Sequence, residues 1–338
     1  MPTWYDMTRY SLLDLVPVVE GGTVGQALAN AADLARHAES LGFERYWTAE
    51  HHGMAGIASA ATSVVIGHVA AATSTIRVGA GGIMLPNHAP LAIAEQFGTL
   101  DALFPGRIDL GLGRAPGSDQ IVARAMRRNL DSDANAFPQD VLELQSYFAD
   151  DGQTGIRATP GAGANVSLWI LGSSTFGAQL AAMLGLPYAF ASHFAPDALM
   201  AAIEMYRRTF RPSAALARPH VMAGFNVFAA DNDAEAELLA SSQQQAFVAL
   251  RTGNPRQLPP PVAGYRESLG AQGAAILDHV LSCSAVGGPA KVARDIAAFV
   301  ARTGVDELMI ASSIYDHAAR KHSLTLTANA LREPALAA

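Results

Sequence analysis

The sequence is short of cysteine and of lysine. One cysteine, Cys283, occurs in 338 residues, so an intramolecular disulfide and a thiolate zinc centre are both excluded. A lone cysteine in an apolar stretch reads as a small core residue. Lysine occurs only at Lys291 and Lys321, so nearly all positive charge is arginine. Charged residues make up 16% of the chain and sum to −7, which leaves no clustered basic face for nucleic acid. With half the residues hydrophobic and so little charge, the chain can bury enough surface to offset its conformational entropy, which excludes disorder. The first residues lack a basic region followed by an apolar run, so no signal peptide is expected. From His51 to Ile76 there is no Asp, Glu, Lys or Arg, a length that would span a bilayer. The run nevertheless holds His51, His52 and His68 among Ala, Ser, Thr and Gly, with few large aliphatics. It reads as a buried helix of a cytoplasmic protein, not as a membrane span.

What is present is an alternation. β-rich runs at 10–16, 45–50, 76–80, 107–112, 166–171, 188–191, 220–228 and 307–311 are separated by helical patterns at 24–41, 58–72, 90–103, 135–148, 175–184, 196–210, 234–250 and 288–302, with a last helical stretch to the C-terminus. Eight such units in this length predict an α/β fold of (β/α)8 (TIM) barrel type forming a single domain over 1–338. An open parallel sheet with a second lobe is the alternative. It would need a linker, and the only candidate stretches, 150–163 and 252–264, lie between elements that continue the alternation and read as insertions.

In such a barrel the chemistry gathers where strands end. The second run ends in Glu50-His51-His52-Gly53, the third in Gly79-Ala80-Gly81-Gly82 and the fourth in Gly113-Arg114-Ala115-Pro116-Gly117. The fifth ends in Gly172-Ser173-Ser174-Thr175, the sixth in Ser192-His193 and the eighth in Ser312-Ser313. Adjacent residues of an extended chain point to opposite faces, so His51 and His52 do not readily share a metal ion, and no metal site is expected. A histidine titrating near pH 6.5 can act as a base or as a donor to a reactive oxygen, a role assigned to His51; hydrogen-bonded structural histidines are the alternative. Gly111-Leu112-Gly113-Arg114-Ala115-Pro116-Gly117 falls short of a dinucleotide fingerprint, because its third glycine comes one position late and Pro116 sits where the helix would start. Arg114 there suits a phosphate. Gly172-Ser173-Ser174, directly before a helix, offers hydroxyls and free N–H groups as a phosphate cradle, with ordinary capping as the alternative. Gly81 and Gly82 leave bare backbone where an aromatic ligand could lie flat.

Taken together, Trp47-Thr48-Ala49-Glu50-His51-His52, Val78-Gly79-Ala80-Gly81-Gly82-Ile83-Met84-Leu85-Pro86-Asn87-His88, Phe104-Pro105-Gly106-Arg107-Ile108-Asp109-Leu110-Gly111-Leu112-Gly113-Arg114, Leu168-Trp169-Ile170-Leu171-Gly172-Ser173-Ser174 and Val286-Gly287-Gly288-Pro289 resemble the luciferase-like monooxygenases, in order and over nearly the whole chain. Within that family the sequence is most similar to the single-chain, alkanal-monooxygenase-like bacterial proteins, and light emission is not expected. The resemblance implies a barrel that binds reduced FMN, supplied by a separate flavin reductase, and adds dioxygen at flavin C4a; the peroxyflavin then oxidises a small aldehyde- or ketone-like substrate.

By motif, His51 matches the active-site histidine, with His52 beside it in the same motif. Gly81-Gly82 matches a non-proline cis peptide beneath the isoalloxazine, Arg114, Gly172, Ser173 and Ser174 match the phosphate site, and Glu95 matches an acid expected to give buried structural support. Gly113 stands where the light-emitting subunit has a reactive cysteine. Some relatives use F420, so an F420-dependent dehydrogenase on the same barrel is one alternative and a flavin-binding protein without turnover is another. The segment 115–134, with Arg124, Arg127, Arg128, Asp131 and Asp133, is expected to cap the pocket. A homodimer is expected.

Overall fold

A computed structural model describes residues 8–115, 125–126, 136–152 and 155–332. Strands β1 (Arg9–Leu13), β2 (Arg45–Thr48), β3 (Arg77–Met84), β4 (Ile108–Gly113), β5 (Ser167–Gly172), β6 (Tyr188–Phe190), β7 (Val221–Ala229), β8 (Ser284–Gly287) and β9 (Glu307–Ala311) pair only in parallel. Eight of them close a ring in the order β1-β2-β3-β4-β5-β6-β7-β9, and β9 returns to β1, so the protein is a (β/α)8 barrel. β8 lies outside the ring. β7 pairs through Met222–Asn226 with β9 and through Asn226–Ala229 with β8, so Asn226 marks the point where its partner changes.

Around the ring lie α1 (Val24–Ser40), α2 (Thr62–Ala72), α3 (Pro90–Leu103), α4 (Phe137–Ala149), α5 (Thr175–Leu184), α6 (Leu199–Thr209), α7 (Asp233–Arg251), α8 (Tyr265–Ser268), α9 (Gly270–Val280), α10 (Pro289–Thr303) and α11 (His317–Arg332). α10 shows why these segments are helical: proline occupies its first turn, Val292, Ile296, Phe299, Val300 and Thr303 fall on one buried face, and Gly304 ends it at φ 62°. α1 starts at Thr23, whose hydroxyl accepts the Gln26 N–H, and it turns a row of alanines inward so that the helix can approach the strands closely.

Side chains facing out of the ring, such as Leu12, Tyr46, Val78, Ile108 and Ile170, pack with the helices into the main core. Those facing in, Leu13, Trp47, Trp169, Ala189, Met222, Met309 and Ala311, fill the lumen, where the two indoles meet edge to face at 5.2 Å. Beneath them, at the N-terminal end of the strands, Arg45 bridges Asp109 (2.8 Å) and Glu307 (2.9 Å). This leaves the C-terminal end as the mouth.

Several boundaries differ from the sequence pattern for local reasons. The run 10–16 stops being strand at Leu13, because the Asp14 carboxylate accepts the Val16 N–H and Val16 turns to φ 53°. The helix expected from 58 begins at Thr62, because the Ser59 hydroxyl is tied to the carbonyls of Leu15 and Ala49. α2 is buried on one face only, and Val64 is 70% exposed. α8, α9 and β8, after the stretch 252–264, went unread because they are short or built of small residues. Glu95 is exposed on α3, so the buried role expected for it is corrected: it lies on the solvent side of that helix. Cys283 is buried, as its surroundings suggest, and burial pushes its thiol pKa up. Among the described residues no helix is long and apolar enough to cross a membrane.

Candidate functional site at the barrel mouth

The loop after β2 is organised by a buried carboxylate. Glu50 Oε1 accepts from His52 Nε2 (2.8 Å) and Asn87 Nδ2 (2.9 Å), Oε2 accepts from the Met84 N–H and His88 Nε2 (both 2.9 Å), and its own N–H donates to the Gly82 carbonyl (3.0 Å). Burial alone would raise its pKa, but the bonds from His88, Asn87 and Met84 outweigh it and hold the group at about 2. Glu50 is therefore an anion that fastens the β2 loop to the end of β3. Neither Asn87 nor His88 was singled out in the sequence, although both lie in the motif that follows Gly81-Gly82.

His51 and His52 diverge. His52 is clamped to Glu50, whereas His51, half-buried, makes no hydrogen bond to a described residue, and burial lowers its pKa against the opposing pull of Glu50. Burial thus favours the neutral form of the His51 imidazole.

Beside this loop the Gly81–Gly82 peptide is cis, and the β3–β4 register shifts between Gly81 and Ile83. A Cβ at Gly81 would come within 2.7 Å of Trp47 Cε3, and one at Gly82 within 2.7 Å of the Gly111 carbonyl oxygen. Only bare backbone fits at either position.

On the next two strands, Arg114 follows β4 and lays its guanidinium 4.0 Å from the ring centroid of Phe176, in the first turn of α5. It forms no ion pair with a described residue. Ser174 is the N-cap of α5 in extended conformation, yet its side chain makes no capping bond. Ser173, Ser174 and Thr175 are exposed, and the Ser174 carbonyl is held by Tyr188 Oη at 3.0 Å. Four first-turn N–H groups of a helix need partners, and here a fixed cation stands beside them. A guanidinium and an uncapped helix start, the two features that attract anions, thus meet on adjacent strand ends.

The structure also brings in residues to which the sequence gave no role. His193, after β6, is held through its carbonyl by Asn226 Nδ2 (2.9 Å); Asn226 Oδ1 accepts from Gln243 Nε2 (2.8 Å), and Gln243 Oε1 accepts from the Ser313 N–H (3.1 Å). Gln243 lies on α7, where its polarity reads only as a helix surface. The five charged residues expected in the capping segment, Arg124, Arg127, Arg128, Asp131 and Asp133, lie outside the described residues.

The parallel eight-stranded barrel carries a cation with no acid partner among the described residues, an uncapped helix N-terminus and a bare-backbone wall on one rim, the end of such a barrel where ligand sites lie. The family model for luciferase-like monooxygenases matches residues 8–307, and the chain belongs to that family. It is 51% identical over 325 residues to a protein of Escherichia coli (strain K12) named luciferase-like monooxygenase, covering 96% of this chain and 97% of that one. It is 35% identical over 255 residues to the N-acetyl-S-alkylcysteine monooxygenase of Bacillus subtilis (strain 168), covering 73% and 75%.

Among solved structures, apo-MsnO8 superposes with a TM-score of 0.85 at 32% identity, covering 96% of this chain and 98% of that one. The fold is shared at 19% identity with the FMN complex of the oxygenating constituent of 3,6-diketocamphane monooxygenase from Pseudomonas putida (TM-score 0.72, 95% and 97% covered). It is shared at 16% identity with an F420-dependent secondary alcohol dehydrogenase (TM-score 0.66, 96% and 99% covered).

Proposed function

We propose that this chain is an FMN-dependent monooxygenase, taking reduced FMN from a separate flavin reductase and using dioxygen to oxidise a small organic substrate of aldehyde or ketone type. The observation that carries this is Arg114, a guanidinium without an acid partner among the described residues, stacked on Phe176 at the uncapped start of α5. A dianionic phosphate satisfies that cation and the orphan N–H groups together. Gly172, Ser173 and Ser174 complete the phosphate cradle, and Gly81-Gly82 offers a flat wall for the ring system of the same ligand.

Bound and reduced, FMN supplies the electrons that activate dioxygen. The chain supplies the rest. His51, its neutral form favoured by burial, accepts or returns a proton at the mouth; His52 acts through Glu50, which sets the loop that carries His51. The packed indoles of Trp47 and Trp169 close the space beneath to water. Relatives at 51% and 35% identity that carry monooxygenase names support oxygen chemistry over hydride transfer.

Anaerobic titration with dithionite-reduced FMN tests the proposal: Arg114→Ala is expected to weaken binding about 10- to 100-fold, the worth of a charge-assisted contact. No FMN binding by the wild type in either redox state overturns it, as does an Arg114→Ala protein that binds like the wild type. F420 binding more tightly than FMN in the same titration turns the assignment to the dehydrogenase reaction. A His51→Ala protein whose oxygen consumption matches the wild type identifies a flavin-binding protein without turnover.

A further inference from the structure

His193 is placed with unusual definition. Its main chain is fixed by Asn226, Ser192 before it donates to the Gly224 carbonyl, and its Nδ1 is buried without a hydrogen-bond partner. What Nδ1 faces is Gly224, on the inner side of β7 two residues beyond the lumen-filling Met222. A Cβ at Gly224 would lie 2.0 Å from Nδ1 and 2.9 and 3.0 Å from Cγ and Cε1. Near-equal distances to the two flanking carbons, both about 1 Å longer, put that point on the outward bisector of Nδ1 in the plane of the ring; a point above the ring would sit much closer to both carbons.

This is where Nδ1 carries either its lone pair or its hydrogen. Glycine directs one of its α hydrogens along that line. Two hydrogens cannot meet head-on there, so Nδ1 keeps its lone pair and accepts a weak C–H contact. The ring proton is then on Nε2, which makes no hydrogen bond to a described residue and is not among the sealed, unpartnered atoms, so it is accessible at the mouth. An imidazolium, which needs a hydrogen on both nitrogens, is excluded by the same contact.

We propose that His193 is a neutral hydrogen-bond donor of the site, its Nδ1 locked as an acceptor by Gly224 so that Nε2–H is presented to a carbonyl oxygen of the reacting ligand, either of the flavin ring or of the organic substrate. This rests on the flavin monooxygenase function proposed above. Burial, with a smaller contribution from His51, also lowers the His193 pKa to about 4, so the ring does not compete with His51 for protons at neutral pH. His193 can therefore polarise a carbonyl without protonating it.

Nitrogen-15 labelling of the histidines tests the lock in the ligand-free chain. Two-bond proton–nitrogen correlations are expected to show His193 in the Nε2–H tautomer, unchanged from pH 8 down to 6; an Nδ1–H tautomer, or an imidazolium at pH 6, overturns the proposal. Adding FMN and then octanal separates the two sources of the carbonyl. A shifted Nε2–H resonance with FMN, with FMN affinity falling two- to tenfold in His193→Phe and kept in His193→Gln, assigns the donor to the flavin. A shift only on adding octanal to the FMN-loaded protein, with FMN affinity equal in both variants, assigns it to the substrate. A resonance that neither ligand moves overturns the donor role. If the wild type binds no FMN, the proposed function fails on that titration alone, while the tautomer is read independently of it.

Discussion

The two ends of the barrel use the same residue types in opposite states. At the N-terminal end the buried charges are answered. Asp109 accepts from Arg45, Trp47 and Arg77, and Glu307 accepts from Arg45, Ser11 and His220. At the C-terminal end Arg114 has no acid among the described residues, Ser174 caps nothing, and the buried hydroxyls of Thr48 and Ser312 and the Nδ1 of His193 have no partner. Buried polar groups are ordinarily satisfied. The buried charges are paired at the first end, whereas the groups left open at the second are those the proposed FMN would meet.

The largest effect is expected from breaking the satisfied end. Arg45 is buried between two buried carboxylates, which hold it protonated against the penalty of burial. Arg45→Met leaves Asp109 and Glu307 short of a partner, and a loss of about 3–5 kcal/mol in the urea unfolding free energy is expected. A loss below about 1 kcal/mol would show that the plug is dispensable and remove the contrast between the ends.

Glu50 sharpens the comparison because, like the buried Asp14–Arg320 pair, it is a fully answered charge at the open end. Its pKa, held at about 2, lies below the ordinary carboxylate value. The native state therefore favours the anion, and this contribution is complete above the unfolded pKa and lost as the pH falls toward 2. Glu50→Gln is expected to cost about 1–3 kcal/mol at pH 7 and much less at pH 3, as read from urea midpoints at the two pH values. A difference independent of pH would mean that Glu50 is not ionised in the fold.

The ring was legible in the sequence because strand and helix periods alternate, and eight runs correspond to the eight strands that close it. β8 was not, since four small residues, Ser284-Ala285-Val286-Gly287, carry too little apolar pattern to mark a strand. In the site, the conspicuous residues were those that glycine and charge mark at strand ends: Gly81, Gly82, Arg114 and the serines of α5. Glu50 was read only as a neighbour of two histidines, because its four donors come from 34 to 38 residues away or from two residues on, and no local pattern encodes such a meeting. Likewise Gly224 reads as a flaw in a buried strand until His193 is placed against it. Glu95 failed in the other direction: a motif position implied burial, but a helix face is decided by what packs on it.

The smallest expected change in stability is also the one that sets the two roles of the open end against each other. Ser174 stands at the start of α5 without bonding its first-turn N–H groups. Ser174→Asp places a carboxylate there, where it can cap the helix, meet its positive end and give Arg114 an acid partner, so a gain of about 0.3–1 kcal/mol in unfolding free energy is expected. The same carboxylate occupies the place proposed for the FMN phosphate and repels it, so FMN affinity should fall by roughly tenfold or more, on the scale of a lost charge-assisted contact. Stability and binding then move in opposite directions from one substitution, as they must if the groups at this rim are left open for an anionic ligand. A variant that is stabilised and still binds FMN like the wild type would place the phosphate elsewhere. A variant that is destabilised would mean that the first turn of α5 is already satisfied, and the contrast between the two ends would rest on Arg114 and His193 alone.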